Sequence, residues 1–208
     1  MFTFSDRAGE RDEEDRTVMA QSSEQYPNLR RVITGHDEQG RSVAMIDGPC
    51  NFLGAGTDGW RFQDIWSHRI LPAPIDPTEA DPTANPLDTG VVEHGLFVRI
   101  SDVPPTRPGE KPYMHRTNSV DYLHVLEGEI TMLLSDGVEP VILRKGDTIL
   151  QRATDHAWVN HTDKHCRLFI VMIAGRATQA LENLIGPVPL WDPAGRARAQ
   201  DDQAKSDD

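Results

Sequence analysis

Met114 to Asn160 reads MHRTNSVDYLHVLEGEITMLLSDGVEPVILRKGDTILQRATDHAWVN, and this stretch decides the fold. Apolar residues alternate with polar ones, the period of a strand with one face buried. Gly128 and Gly146 punctuate the run. If Asp121 points inward, Leu123 and Val125 do too, while Tyr122 and His124 point to the other face. By the same alternation Trp158 shares a face with His156. Such strands bring His115, Asp121 and His156 to one cavity.

Outward from this stretch the chain continues in the same rhythm. Residues 29–34 (LRRVIT) and 41–47 (RSVAMID) predict two short strands joined by a turn, GHDEQG. Residues 51–59 read as Gly-rich and irregular, and 61–70 as a further strand. Pro72, Pro74, Pro77, Pro82 and Pro86 then exclude both helix and sheet interior. A loop of that length is a candidate cover for a barrel mouth or a bridge in a dimer. Beyond it, 94–100, 120–126, 129–134, 138–144, 148–151, 156–160 and 166–173 all read extended. The last of these is apolar almost throughout, as expected of a strand buried on both faces. One short helix follows, with Thr178 as N-cap and a stop at Gly186 and Pro187.

The organisation expected is a disordered acidic arm at 1–25, then N-terminal strands and the Pro-rich loop packing on a barrel at 26–93. The barrel spans 94–175, a C-terminal helix and loop 176–191, and a disordered tail 192–208. Among its 208 residues the chain has 33 acids against 21 Lys and Arg, a net charge of −12. An acidic surface repels phosphate backbones, so nucleic acid is not an expected partner. Mean hydropathy is −0.51, and no window approaches the roughly 18 apolar residues that span a bilayer. The start, MFTFSDRAGERDEEDR, lacks an apolar leader, so the expected location is cytoplasmic, with no membrane partner. Cys50 and Cys166 form no CxxC pair and read as reduced, partly buried thiols.

The stretch quoted above resembles the two signature motifs of the cupin barrel. The first motif runs G, five residues, HxH, three or four residues, E, six residues, G. His115 takes its first histidine position, Thr117 the second, Asp121 that of the glutamate, and Gly128 closes it. The second runs G, five residues, PxG, two residues, H, three residues, N. Gly146, His156 and Asn160 match it, Arg152 and Thr154 replace its proline and glycine, and one residue is missing before His156. The resemblance, to a divergent single-domain bacterial cupin, covers about residues 94–175. It implies an all-β double-stranded β-helix, or jelly roll, extended by an N-terminal β-hairpin and a short C-terminal helix. It also implies a homodimer.

In metal-binding cupins three histidines and a glutamate hold the ion. Carried over, the resemblance assigns His115, Asp121 and His156 to a divalent metal, Fe, Mn, Zn or Ni. Two imidazoles and one carboxylate also make the facial-triad set of non-haem iron. Aspartate is one methylene shorter than glutamate, and its oxygens fall back by about 1.5 Å. The expected activity is metal-dependent, by Lewis-acid or oxygen-activating chemistry on a small organic molecule, perhaps aromatic or a carboxylate. His115, Asp121, His156 and Arg152 are its candidate catalytic residues. Tyr113, Thr117, Gln151, Arg152 and Trp158 are candidates to line the substrate, Arg152 by a two-bond clamp on a carboxylate. Two alternatives stay open: a metal-free isomerase, cyclase or lyase using the same His and Asp groups for acid–base work, and a non-catalytic small-ligand binding protein. His161 and His165 are expected to be exposed beside a turn.

Overall fold

Short alternating segments joined by tight turns fold here into antiparallel sheets. The computed structural model describes residues 28–55, 59–84, 94–135 and 137–186. Its strands are β1 (Arg30–His36), β2 (Ser42–Pro49), β3 (Asn51–Ala55), β4 (Arg61–His68), β5 (Leu96–Val103) and β6 (Ser119–Glu127). They continue with β7 (Glu129–Leu133), β8 (Val141–Arg144), β9 (Thr148–Arg152), β10 (Ala157–Val159) and β11 (Cys166–Ala174), and end in helix α1 (Gln179–Ile185). The acidic arm expected at 1–25, the tail expected at 192–208 and Pro86 lie outside the described residues.

A six-stranded sheet runs in the order β3-β4-β5-β11-β6-β9, and a three-stranded sheet in the order β10-β7-β8. This is the double-sheet β architecture that the alternating pattern predicts. Its core is a cluster of Val103, Leu123, Val125, Ile130, Leu143, Cys166 and Leu168, contributed by both sheets. Burial strips these side chains of water, the main term favouring the fold. Along β6, Asp121, Leu123 and Val125 are buried while Tyr122 is exposed. Asp121 thus points inward, and Leu123 and Val125 share its face as the alternation expects.

The two motif glycines are turn residues. Gly128, between β6 and β7, has φ 83°, and a Cβ there would sit 3.0 Å from His165 O and 3.1 Å from Cys166 Cα. Gly146, between β8 and β9, has φ 94°. Both lie where a side chain strains the backbone. Asn160 is structural: its amide donates to Val103 O at 3.0 Å and Lys164 O at 2.8 Å, shaping the loop into β11. Thr178 caps α1 by accepting from Leu181 N, and Gly186 ends it.

Three expectations are corrected. Residues 51–55 form β3, paired with β4, rather than an irregular segment. Both β3 and β4 belong to the large sheet, which therefore begins before residue 94 instead of having these strands pack upon it. Pairing of β4 with β5, invisible in either segment alone, is the reason. Finally, β11 is only half-buried from Phe169 onward, although it is flanked by β5 and β6.

The hairpin β1–β2 forms its own two-stranded sheet. Arg31 pins it down, donating to Ile65 O at 3.0 Å and Thr83 Oγ1 at 2.8 Å and pairing with Asp81. The latter two residues lie in the Pro-rich segment, so this guanidinium ties that loop to the hairpin. No described helix is long and apolar enough to cross a membrane.

Candidate functional site

Between the sheets, adjoining the packed cluster through Leu123, lies a cavity of about 90 Å³. Strand β5 presents Phe97, Arg99 and Ser101 to it, β6 presents Asp121 and Leu123, and β11 presents Ile170 and Met172. Trp60, Phe62 and Trp158 complete an aromatic wall. The polar groups at its other end are His115, Thr117 and His156.

The two histidines meet because their backbones form an isolated antiparallel bridge. Each amide donates to the other's carbonyl at 2.9 Å. Their rings lie 4.3 Å apart between centroids, tilted by 47°. His156 Nδ1 sits 3.0 Å from Thr154 O. The Gln151 amide nitrogen lies 3.1 Å from the same Nδ1; in the tautomer with the proton on Nδ1 the ring donates to Thr154 O and leaves the Nε2 lone pair free. Gln151 Nε2 donates to the same carbonyl at 3.1 Å, bracing the imidazole from behind. Burial lowers the His156 pKa, which keeps the ring neutral. His115 is oriented similarly, with Nδ1 3.1 Å from Tyr113 O.

Asp121 is 5% exposed, and its Oδ1 has no hydrogen-bond partner among the described residues. Burial pushes the carboxyl pKa up to about 6, and a hydrogen bond from Ser119 opposes this weakly. Ser119 Oγ in turn lies 2.7 Å from Thr117 Oγ1. Thr117, where the resemblance would place a second imidazole, thus belongs to a hydroxyl relay ending on the carboxylate.

Of the residues expected at the site, His115, Thr117, Asp121, His156 and Trp158 line the cavity. Trp158 meets His156 edge-on, with centroids 5.6 Å apart. Tyr113, Gln151 and Arg152 do not line it. Tyr113 is half-exposed and stacks on His115 at 5.1 Å. Gln151 pairs with Asp121 across the sheet and faces inward behind His156. Arg152, the next residue, must face outward, and it is exposed. The cavity guanidinium is that of Arg99 instead.

Arg99 and Asp64 form a buried two-bond pair at 2.7 and 3.1 Å. A charged residue in phase with Phe97 along HGLFVRI was the available signal for Arg99. Its partner, 35 residues earlier, carried none. His165 is 7% exposed, against the expectation of an exposed turn histidine, because it leads into the buried start of β11. Cys50 and Cys166 are free and buried, and burial pushes the Cys166 thiol up to about 12.

The donor set His115, Asp121 and His156 has the right chemistry for an ion. Among the described residues, however, no three His, Cys, Asp or Glu side chains converge closely enough to hold one. As they stand, these residues do not fit a metal centre.

A sequence profile of the cupin domain matches residues 99–172. Phomopsin biosynthesis cluster protein D of Diaporthe leptostromiformis is 36% identical over 168 residues, 75% of this chain and 86% of that protein. The cupin-domain-containing oxidoreductase fogC of Aspergillus ruber is 35% identical over 147 residues, 67% of this chain and 70% of its own length. Among solved structures, an RmlC-like cupin from Shewanella frigidimarina matches with a TM-score of 0.39 at 18% identity, covering 61% of this chain and 86% of that one.

Proposed function

The chain belongs to the cupin superfamily, and from that premise we propose that it is an enzyme transforming a small organic molecule in the barrel cavity by acid–base chemistry. The observation that carries this reading is the buried, unpartnered Oδ1 of Asp121 in the same cavity as His156. Ionised, Asp121 takes a proton from the substrate at Oδ1. The neutral His156 accepts or returns one at Nε2, while Thr154 O and Gln151 hold its ring. Apolar walls exclude water, which strengthens both interactions. The base form of Asp121 grows in as pH rises through about 6, so turnover rises over the same interval.

The test is hydrogen–deuterium exchange in D₂O, followed by NMR across a panel of small ketones and acids. Catalysed C–H exchange in the wild type, lost in Asp121→Asn and surviving a chelator, is expected. Exchange unchanged in Asp121→Asn would sink the assignment.

A second reading is metal-dependent oxidoreduction, in which Fe, Mn, Zn or Ni would draw His115, Asp121 and His156 closer together than they stand here. The oxidoreductase names of relatives such as fogC support it, and so do the carbonyl contacts that orient both imidazoles. Metal content by mass spectrometry decides between the two. About one equivalent, lost in His156→Ala, would favour the ion. A third reading, a non-catalytic small-ligand carrier, predicts stabilisation by ligand without turnover. The proposed setting is a cytoplasmic homodimer, for which exposed Tyr122 and Leu150, paired on the outer face of the large sheet, offer an apolar contact. Light scattering tests it.

A further inference from the structure

At the β5 side of the cavity, Arg99 is 8% exposed and Ser101 0%. Asp64 takes two of the guanidinium's five donors, through Nε and Nη2, and no other described residue takes the rest. The plane is fixed by two aromatic faces, Phe62 at 4.7 Å and Phe97 at 4.6 Å from the guanidinium carbon. A guanidinium so held aims its remaining N–H edge in one direction. Two residues along the same strand face, Ser101 Oγ is buried with no hydrogen-bond partner among the described residues. An unmade hydrogen bond at a fully buried hydroxyl is costly unless something else supplies it.

A purely structural role, joining β4 to β5, explains the pair alone. It does not explain why the pair opens on a cavity, or why a second donor beside it is unsatisfied. Apolar residues would join the strands at no greater cost. A planar edge of N–H donors beside a hydroxyl matches a carboxylate, which accepts several hydrogen bonds at once. Arg99 and Asp121 lie on strands separated by β11, two strand spacings or roughly 10 Å across the sheet. Ile170 and Met172 of β11 floor the gap between them.

We propose that Arg99 and Ser101 form a carboxylate-binding subsite, so that the substrate is a small apolar carboxylic acid with its acid group on β5 and its reacting end against Asp121 and His156. Asp64 is a positioning residue for the guanidinium. This subsite deepens the acid–base reading and uses the same cavity, but it rests on different residues.

The experiment is calorimetric titration of the full chain with isobutyrate and benzoate, each beside its neutral amide. The acids are expected to bind at least about tenfold more tightly than the amides. Ser101→Ala removes a hydroxyl with no partner among the described residues, so folding is expected to be undisturbed. It should weaken the acids roughly three- to tenfold and leave the amides unchanged. Asp64→Asn combined with Arg99→Gln, which strands no buried charge, should erase the preference. Acids binding no better than amides in both pairs, no acid binding at all, or a preference surviving both variants would each overturn the subsite. Asp121-dependent exchange without a carboxylate preference would leave the proton-transfer reading standing. A preference without turnover would leave the subsite standing and sink that reading.

Discussion

Two ends of one barrel, built partly from the same strands, do opposite things. At one end Val103, Val125, Ile130 and Leu168 pack with 1–2% exposure and no polar partner to satisfy. At the other, the same β5 and β6 carry Arg99, Ser101 and Asp121 inward, and two of these have polar atoms with no partner among the described residues. The change takes only one or two inward steps along each strand, from Asp121 through Leu123 to Val125 and from Arg99 through Ser101 to Val103. The packed end stabilises a scaffold that can hold buried, unsatisfied polar groups at the open end. Stability and chemistry are thus divided along single strands.

The contrast breaks most severely at the packed end. Leu168→Ala, in the buried start of β11, is expected to cost about 2–5 kcal/mol, because the side chain is 1% exposed and its neighbours close a cavity poorly. Chemical denaturation measures it, and a loss under about 1 kcal/mol would mean that the core is more plastic than its burial implies.

At the open end the expected sign is reversed. The folded pKa of Asp121, about 6, lies above its ordinary 3.8. Below about pH 4 the carboxyl is protonated in both folded and unfolded states and costs nothing. As pH rises through about 6 the folded protein must bury a charge, and stability is lost. Two pKa units correspond to up to about 3 kcal/mol at neutral pH. Asp121→Asn should therefore be more stable than the wild type at pH 7 to 8, equal to it near pH 4, and inactive. Thermal unfolding across pH tests this, and a variant less stable at every pH would contradict it.

The smallest effect sharpens the boundary of the site. Arg152 sits one residue from the cavity-side Gln151 but faces outward, so Arg152→Ala should leave stability within roughly 0.5 kcal/mol and turnover within about twofold. A tenfold loss of turnover would show that the β9 register does not exclude it from the substrate.

Much of this was legible in the sequence. Alternation tied Leu123 and Val125 to the face of Asp121, Gly128 and Gly146 marked turns that need positive φ, and Thr178 and Gly186 bounded the helix. The two histidine positions and Trp158 followed from motif spacing and strand period. Of the neighbours Gln151 and Arg152 only one can face inward, and the dipeptide by itself does not say which; the pairing of Gln151 with Asp121 across β6 and β9 turns Arg152 outward.

What the sequence determined by itself is local: which segments are strands, where they turn, and which face of β6 is buried. These depend on periods of two and on the few residues that tolerate special backbone angles. The tertiary structure alone decided that Arg99 and Asp64 form a pair at the cavity, since the two meet only when β4 and β5, distant in sequence, lie side by side. Such pairs depend on contact across the fold, for which neither partner's own neighbourhood carries a signal.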